Sequence, residues 1–415
     1  MERTIRRSIV SGRLPAIKSP AVAHRAIVAA SLAPGQSVVS NVPFTRDVQS
    51  TISACNSMGA DIVFDSEKGV ADIFGMVHEY GGEDISCGQS NSTLKLLLPI
   101  LPAFAEKSSL SATGHLAKKN LAPYFGYVER LGATIGSNED SLPVKIMGPL
   151  VEHEMVFFPR LGTQFFSGLL FSSSLREEQV SIALDGNFRD ETYVGMTMRV
   201  LSEFGSSVQR VDELFLFDGA PGLRRANFEA PASAYLSSFV LLAGAAAGKV
   251  AVEGLDGEDS QRLEGLFRSF GASASVSGRT LSVSAGLPHK GEFDALQLGA
   301  YLPHAIVLAA LSQSECGFSN INSLDARQDG RLRLLLRELS QMGMKSEEKS
   351  GALTVMGSKL SAADVHPDGD SAVAMACSIA ALCASGQTRI NDAECVGAVC
   401  PGFFNALALL GAIVH

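Results

Sequence analysis

The chain contains no CxxC pair, and its seven cysteines (Cys55, Cys87, Cys316, Cys377, Cys383, Cys395 and Cys400) are odd in number and scattered. That pattern argues against a secreted disulfide framework and points to buried thiols in a reducing cytoplasm. No apolar run exceeds about a dozen residues before Gly or Ser interrupts it, as over 236–247, which is too short to span a bilayer. Met1–Val10 carries charge but no apolar core of a secretory leader. Basic residues are not in excess: the net charge is −9, so a nucleic acid is not an expected partner. A locally positive site for a small anion remains compatible with that balance. GxGxxG and P-loop patterns are missing, and the eight histidines are dispersed without metal-ligand spacing. Neither cofactor nor metal is expected, and neither membrane nor nucleic acid.

What is present is a globular composition, 46% hydrophobic and 19% charged over 415 residues, a length that predicts two domains. One short pattern recurs: an amphipathic segment, a Gly in an apolar or small setting, then a short strand. It reads SMGADIV, RLGATIG, EFGSSVQ, SFGASAS, QMGMKSE and LLGAIVH, with Gly59, Gly132, Gly205, Gly271, Gly343 and Gly411 about 70 residues apart. A Gly just past a helix can take the left-handed position that ends it. Asp47–Met58 and Arg331–Met342 carry apolar residues at i, i+3, i+4 and i+7, as helices do.

A second helical series alternates with the first: Pro20–Leu32, Asn91–Phe104, Gln164–Ser173, Ser233–Ala247, Pro303–Leu311 and Ser371–Leu382. These segments are apolar almost all round and must be buried. Each precedes a strand, as in SVVSNV, KVAVEGL and TRINDA. Six copies of one α/β unit follow, three to a domain. The buried helices start at polar residues: Ser19, Asn91–Thr93, Thr163–Gln164, Ser233, His304 and Ser371. Unpaired N–H groups and the partial positive charge of a helix start favour anions, so a cleft ringed by these starts is expected to bind one.

Those segments resemble the enolpyruvyl transferase family, the EPSP synthases in particular, and the likeness runs essentially end to end. IKSPAVAHRAIVAASLAPGQSVVSNVPFTRDV resembles the family's PGSKS…NRAL…DV start, and CGQSNSTLK its GNxGTxxR stretch. GTQFFSGLLFSSSL resembles SSQFxSGLL, and DETYVGMTMRVLSEFG resembles SKPYxxMTxxxxxxFG. LDARQDGRL and DSAVAMACSIAAL are similar to the RxKEsDR and DHRMAM segments. The resemblance implies a two-domain inverse α/β fold of six βαβαββ repeats with the ligand cleft between the domains. Crossover strands are expected near residues 10–14 and 224–230, one domain over 14–226 and the other over 1–13 plus 227–415.

The family joins phosphoenolpyruvate to a cyclic alcohol bearing a carboxylate and a phosphate. The resemblance assigns Arg25 to the ring carboxylate, a role suited to its bidentate fork. It assigns Thr163 and Gln164 to the phosphate and ring, and adds Tyr193, Asn91, Lys95 and Arg331 as substrate-binding positions. Arg327 stands at the family's Lys, Asp190 at the SKPY serine, and His304 at the family's general-base Asp. With Arg327 and Asp190, His304 completes the expected catalytic set, its imidazole serving as base.

Several family positions differ. The first-motif Lys falls on Pro20 and its Ser on Ala21, with Lys18 nearby. The Arg-rich loop is GHLAKKNLAP, where only Lys118 or Lys119 can stand in. Gln328, Ser371, Ala372 and Ala398 take positions of Glu, His, Arg and Lys. At about 1.5–3 kcal/mol per charge-assisted bond, three lost cations remove on the order of 5–9 kcal/mol, at least a thousandfold in affinity. A carboxylate at Asp190 also repels a phosphate dianion. These differences lead to the expectation of a divergent enzyme performing elimination or dehydration on a shikimate-type cyclic acid, cytoplasmic and monomeric or weakly self-associating. Two alternatives stand beside it: an ordinary 3-phosphoshikimate 1-carboxyvinyltransferase using phosphoenolpyruvate, and a non-catalytic protein that binds a small acid or a partner.

Overall fold

The computed structural model describes residues 2–75, 84–186, 188, 191–206, 208–219, 222–286, 290–312 and 314–415. Lys18–Ala230 forms one compact unit, here the middle unit. Met1–Ile17 with Pro231–His415 forms the other, the split unit. Each has its own hydrophobic core.

The middle unit buries three helices, Pro20–Leu32, Asn91–Phe104 and Thr163–Ser174. The split unit buries Ala234–Ala247, Leu302–Leu311 and Ser371–Cys383. Burial is unbroken along their apolar runs, from Val22 to Leu32 in one and from Ala372 to Leu382 in another. Around them stand amphipathic helices such as Arg46–Ser57, Thr192–Glu203 and Ala326–Gln341. The six repeat glycines each follow such a helix, with φ between 83° and 109°. That is the left-handed turn anticipated from the sequence.

Three four-stranded sheets complete each unit. Asp84–Ser86 runs parallel to Lys107–Ser111, which pairs antiparallel with Ser141–Met147, which pairs antiparallel with Thr134–Asn138. The same first, second, fourth, third order recurs in all six sheets, and with two helices per sheet it gives the βαβαββ repeat. Three repeats borrow a strand from a distant part of the chain. Asn227–Glu229 lies parallel to Gln36–Ser40, with Phe228 opposite Val39. Val10–Pro15 lies parallel to Gly248–Glu253, and Arg3–Arg6 joins Gln387–Ile390 in the last sheet. The fold is that of the inverse α/β expectation.

The Asn91–Phe104 and Thr163–Ser174 helices meet at Gly168, where an added Cβ would collide with the Leu96 carbonyl oxygen and the Pro99 ring. Backbone cannot yield as a side-chain tip can, so Gly168→Ala should destabilise by roughly 1–3 kcal/mol, as overpacking does. Urea unfolding measures this, and an unchanged midpoint would show that the two helices have room to part.

Candidate functional site

Helix starts deliver the site residues of the middle unit. Ser19 caps the Pro20–Leu32 helix by accepting from the Val22 N–H, and Ser90 caps the Asn91–Phe104 helix by accepting from the Thr93 N–H. The third helix starts at Gly162 without a side-chain cap. Across these starts runs a hydrogen-bonded string. Lys119 Nζ donates to Asn91 Oδ1 at 3.0 Å, Asn91 Nδ2 to Gln164 Oε1 at 3.3 Å, and Gln164 Nε2 to Ser92 Oγ at 2.8 Å. Lys95 lies beside it, its ammonium 5.0 Å from the centre of the Tyr124 ring and about 4 Å from where a Gly162 Cβ would lie. Desolvation and the neighbouring Lys95 charge pull the Lys119 ammonium below the usual lysine range, while Tyr124 opposes them. Two ammonium groups and two helix starts converging is the arrangement that an anion stabilises. Of the two lysines that could stand in for the family's Arg-rich loop, Lys119 is the one bound into this string.

Arg25 lies deeper, 2% exposed. Its Nε donates to Thr197 Oγ1 at 2.7 Å, Nη1 to the Ala21 carbonyl at 2.7 Å, and Nη2 to Ser167 Oγ at 2.9 Å. The two hydroxyls can accept because their own protons go elsewhere: Thr197 donates to the Tyr193 carbonyl and Ser167 to the Thr163 carbonyl. The Tyr193 ring sits 5.6 Å from the guanidinium carbon. Burial lowers the Arg25 pKa to about 10, Tyr193 opposing, so the group stays charged at neutral pH. Every one of these acceptors is a neutral oxygen. The sequence reading did not single out Ser167 or Thr197, although each stands four residues after an expected site residue and so on the same helix face.

Thr163 and Gln164 open their helix half-buried, as does Asn91 in its own. Asp190 lies outside the described residues.

In the split unit, Arg331 Nε donates to both carboxylate oxygens of Asp370, at 2.9 and 3.1 Å. Asp370 also caps the Ser371–Cys383 helix, accepting from the Ala372 and Val373 N–H groups. The cap is therefore Asp370 rather than Ser371. Arg327 is exposed on the first turn of the Ala326–Gln341 helix, one turn before Arg331.

His304 corrects the sequence expectation. It is the third residue of the Leu302–Leu311 helix, which starts after Tyr301, and it is wholly buried. The rings of Phe239, Tyr301 and Tyr235 surround it at 4.2, 5.6 and 6.3 Å. Ser238 Oγ donates to the Tyr235 carbonyl, so the 2.8 Å contact to His304 Nε2 is an imidazole N–H donating to Ser238. Nδ1 then carries only a lone pair, with no partner among the described residues. Desolvation drops its pKa to about 3. A general base must reach a substrate proton; His304 instead packs the core. Sequence could not separate these roles, because one His near a helix start is compatible with both.

His24 shares this state. Its Nδ1 lies 2.6 Å from Thr51 Oγ1, and burial followed by the Arg25 charge lowers its pKa to about 3. Both histidines take up protons more readily unfolded, at the ordinary 6.5, than folded. Stability should therefore fall as pH drops from about 6.5 toward 3, by on the order of 2 kcal/mol per histidine at pH 5. Urea unfolding at pH 7 and pH 5 measures the loss, and His304→Gln should remove about half of it. A pH-independent midpoint would contradict the buried neutral state.

The EPSP synthase (3-phosphoshikimate 1-carboxyvinyltransferase) family model matches residues 6–407. A 3-phosphoshikimate 1-carboxyvinyltransferase from Clostridium perfringens (strain 13 / Type A) is 28% identical over 412 residues, covering 98% of this chain and 96% of that protein. One from Aeropyrum pernix is 29% identical over 414 residues, covering 98% and 95%. Among solved structures, EPSP synthase from Acinetobacter baumannii superposes with a TM-score of 0.84 at 20% identity, covering 100% of this chain and 99% of that one. The enolpyruvyl transferase NikO from Streptomyces tendae gives 0.80 at 15%, covering 100% and 98%. These findings overturn the expectation of elimination or dehydration, because the relatives that match from end to end in sequence are named 3-phosphoshikimate 1-carboxyvinyltransferases. The chain belongs to the EPSP synthase family.

Proposed function

We propose that the chain is a 3-phosphoshikimate 1-carboxyvinyltransferase, moving the carboxyvinyl group of phosphoenolpyruvate onto a hydroxyl of 3-phosphoshikimate and releasing phosphate. End-to-end similarity to proteins of that name supports the activity. The geometric observation that carries it is the string from Lys119 through Asn91 and Gln164 to Ser92, with Lys95 beside it. Counting lost family arginines led to a deficit of cations for phosphoenolpyruvate. Lys119, in the stretch that replaces the family's Arg-rich loop, supplies one such cation, and Lys95, at the arginine position of the GNxGTxxR stretch, supplies charge beside it. Arg25 is the natural seat for the ring carboxylate: a buried cation with neutral partners gains most from an anionic ligand. Thr163, Gln164 and Tyr193 then border the ring and its phosphate. His304 takes no part in proton transfer. Seven unpaired thiols fit a cytoplasmic setting.

Incubating the purified chain with both substrates should release phosphate in step with a carboxyvinyl ether detected by mass spectrometry. Absence of both products would sink the reading. Lys119→Met should raise the KM for phosphoenolpyruvate about tenfold to a hundredfold, the worth of one charge-assisted hydrogen bond. Because the Lys119 pKa is lowered, it loses its proton earlier than an ordinary lysine as pH rises. Affinity for phosphoenolpyruvate should therefore decline below the usual lysine range near about 10.4, and Lys119→Met should abolish that decline.

A further inference from the structure

The Ala326–Gln341 helix holds a carboxylate inside the core of the split unit. Glu338 is fully buried. Its Oε1 accepts from Arg337 Nε at 2.6 Å and its Oε2 from the His366 backbone N–H at 2.8 Å. Arg337, half-exposed, reaches round the outside, its Nη2 donating to the His366 carbonyl at 2.8 Å and to Asp368 Oδ2 at 2.9 Å. Two adjacent residues thus grip one short turn from inside and outside.

That turn is conformationally demanding. Asp368 has φ 46° and Gly369 φ 79°, and the Asp370 N–H closes onto the Pro367 carbonyl at 2.8 Å. A non-glycine residue in the left-handed region persists when its surroundings over-determine it. On the opposite side, Asn391 donates its backbone and side-chain N–H groups to the Val365 carbonyl at 2.9 and 3.1 Å. The turn delivers Asp370, which caps the Ser371–Cys383 helix and holds Arg331. Arg331 stands seven residues before Glu338, two helical turns along the same face. One helix face therefore touches the same turn twice, once to fix it and once to be held by it.

We propose that Glu338 is a positioning residue for the substrate-binding Arg331: it sets the 366–370 turn so that Asp370 holds the Arg331 guanidinium in place. This rests on the transferase reading above. Glu338→Gln keeps the shape and an acceptor for the His366 N–H but removes the charge that holds Arg337. It should raise the KM for at least one of the two anionic substrates about tenfold while kcat stays within about twofold, and speed amide exchange over residues 366–373. Glu348→Gln breaks the surface pair of Glu348 with Arg333 on the same helix and should change neither. An unchanged KM with unchanged exchange in Glu338→Gln would overturn the proposal. So would a fall in kcat alone that tracks the fraction of folded protein. If the wild-type chain transfers no carboxyvinyl group, the transferase reading falls, and exchange at 366–373 still decides whether Glu338 sets the turn.

Discussion

Burying a helix on every side leaves it only its first turn for polar chemistry, and the six central helices of the two units are buried in this way. Their ladders satisfy their own backbone groups everywhere except at the ends. Four of the six starts take a side-chain cap, from Ser19, Ser90, Ser233 and Asp370. The start at Gly162 has none, and there the Lys95 ammonium approaches a helix end that is itself positive. Two positive features brought together are reconciled by an anion. The interior therefore dictates where the charged residues of this chain can work.

Within the middle unit, two consecutive residues tie the Pro20–Leu32 helix to its neighbours in different directions. His24 bonds to Thr51, which contacts Thr93 on the next buried helix at 2.7 Å. Arg25 bonds to Ser167 and Thr197 on two others. A guanidinium beside it makes an imidazolium at His24 doubly unfavourable, so the pair works as one cation and one neutral ring. Arg25 is held in place by oxygens that cancel none of its charge. Binding of a substrate carboxylate would supply that missing charge and stabilise the fold at the same time, a linkage between ligand and stability.

The scaffold was legible because it depends on periodicity. A Gly about every 70 residues and helices apolar on all faces are local signals, and both carried into the structure. Two of the borrowed strands, Val10–Pro15 and Asn227–Glu229, were legible only through the family likeness, and Arg3–Arg6 was not legible at all, since each pairs with a partner far along the chain. The chemistry was legible position by position and misleading in sum. Matching residues one for one treats an Arg lost at a given place as a charge lost from the site. Lys119 lies in the GHLAKKNLAP stretch that takes the place of the family's Arg-rich loop, and its long side chain ends at Asn91. His304, aligned with the family's base, lies within a shell of aromatic rings that the sequence did not announce.

The central proposal is that Lys119 and Lys95 form a site for phosphoenolpyruvate in the unit that holds the buried Arg25. Isothermal titration of phosphoenolpyruvate into the chain, alone and with 3-phosphoshikimate present, tests it most directly. The account predicts saturable binding of one equivalent, tighter when 3-phosphoshikimate is bound. No detectable heat under either condition, from protein whose thermal unfolding shows it to be folded, would contradict it.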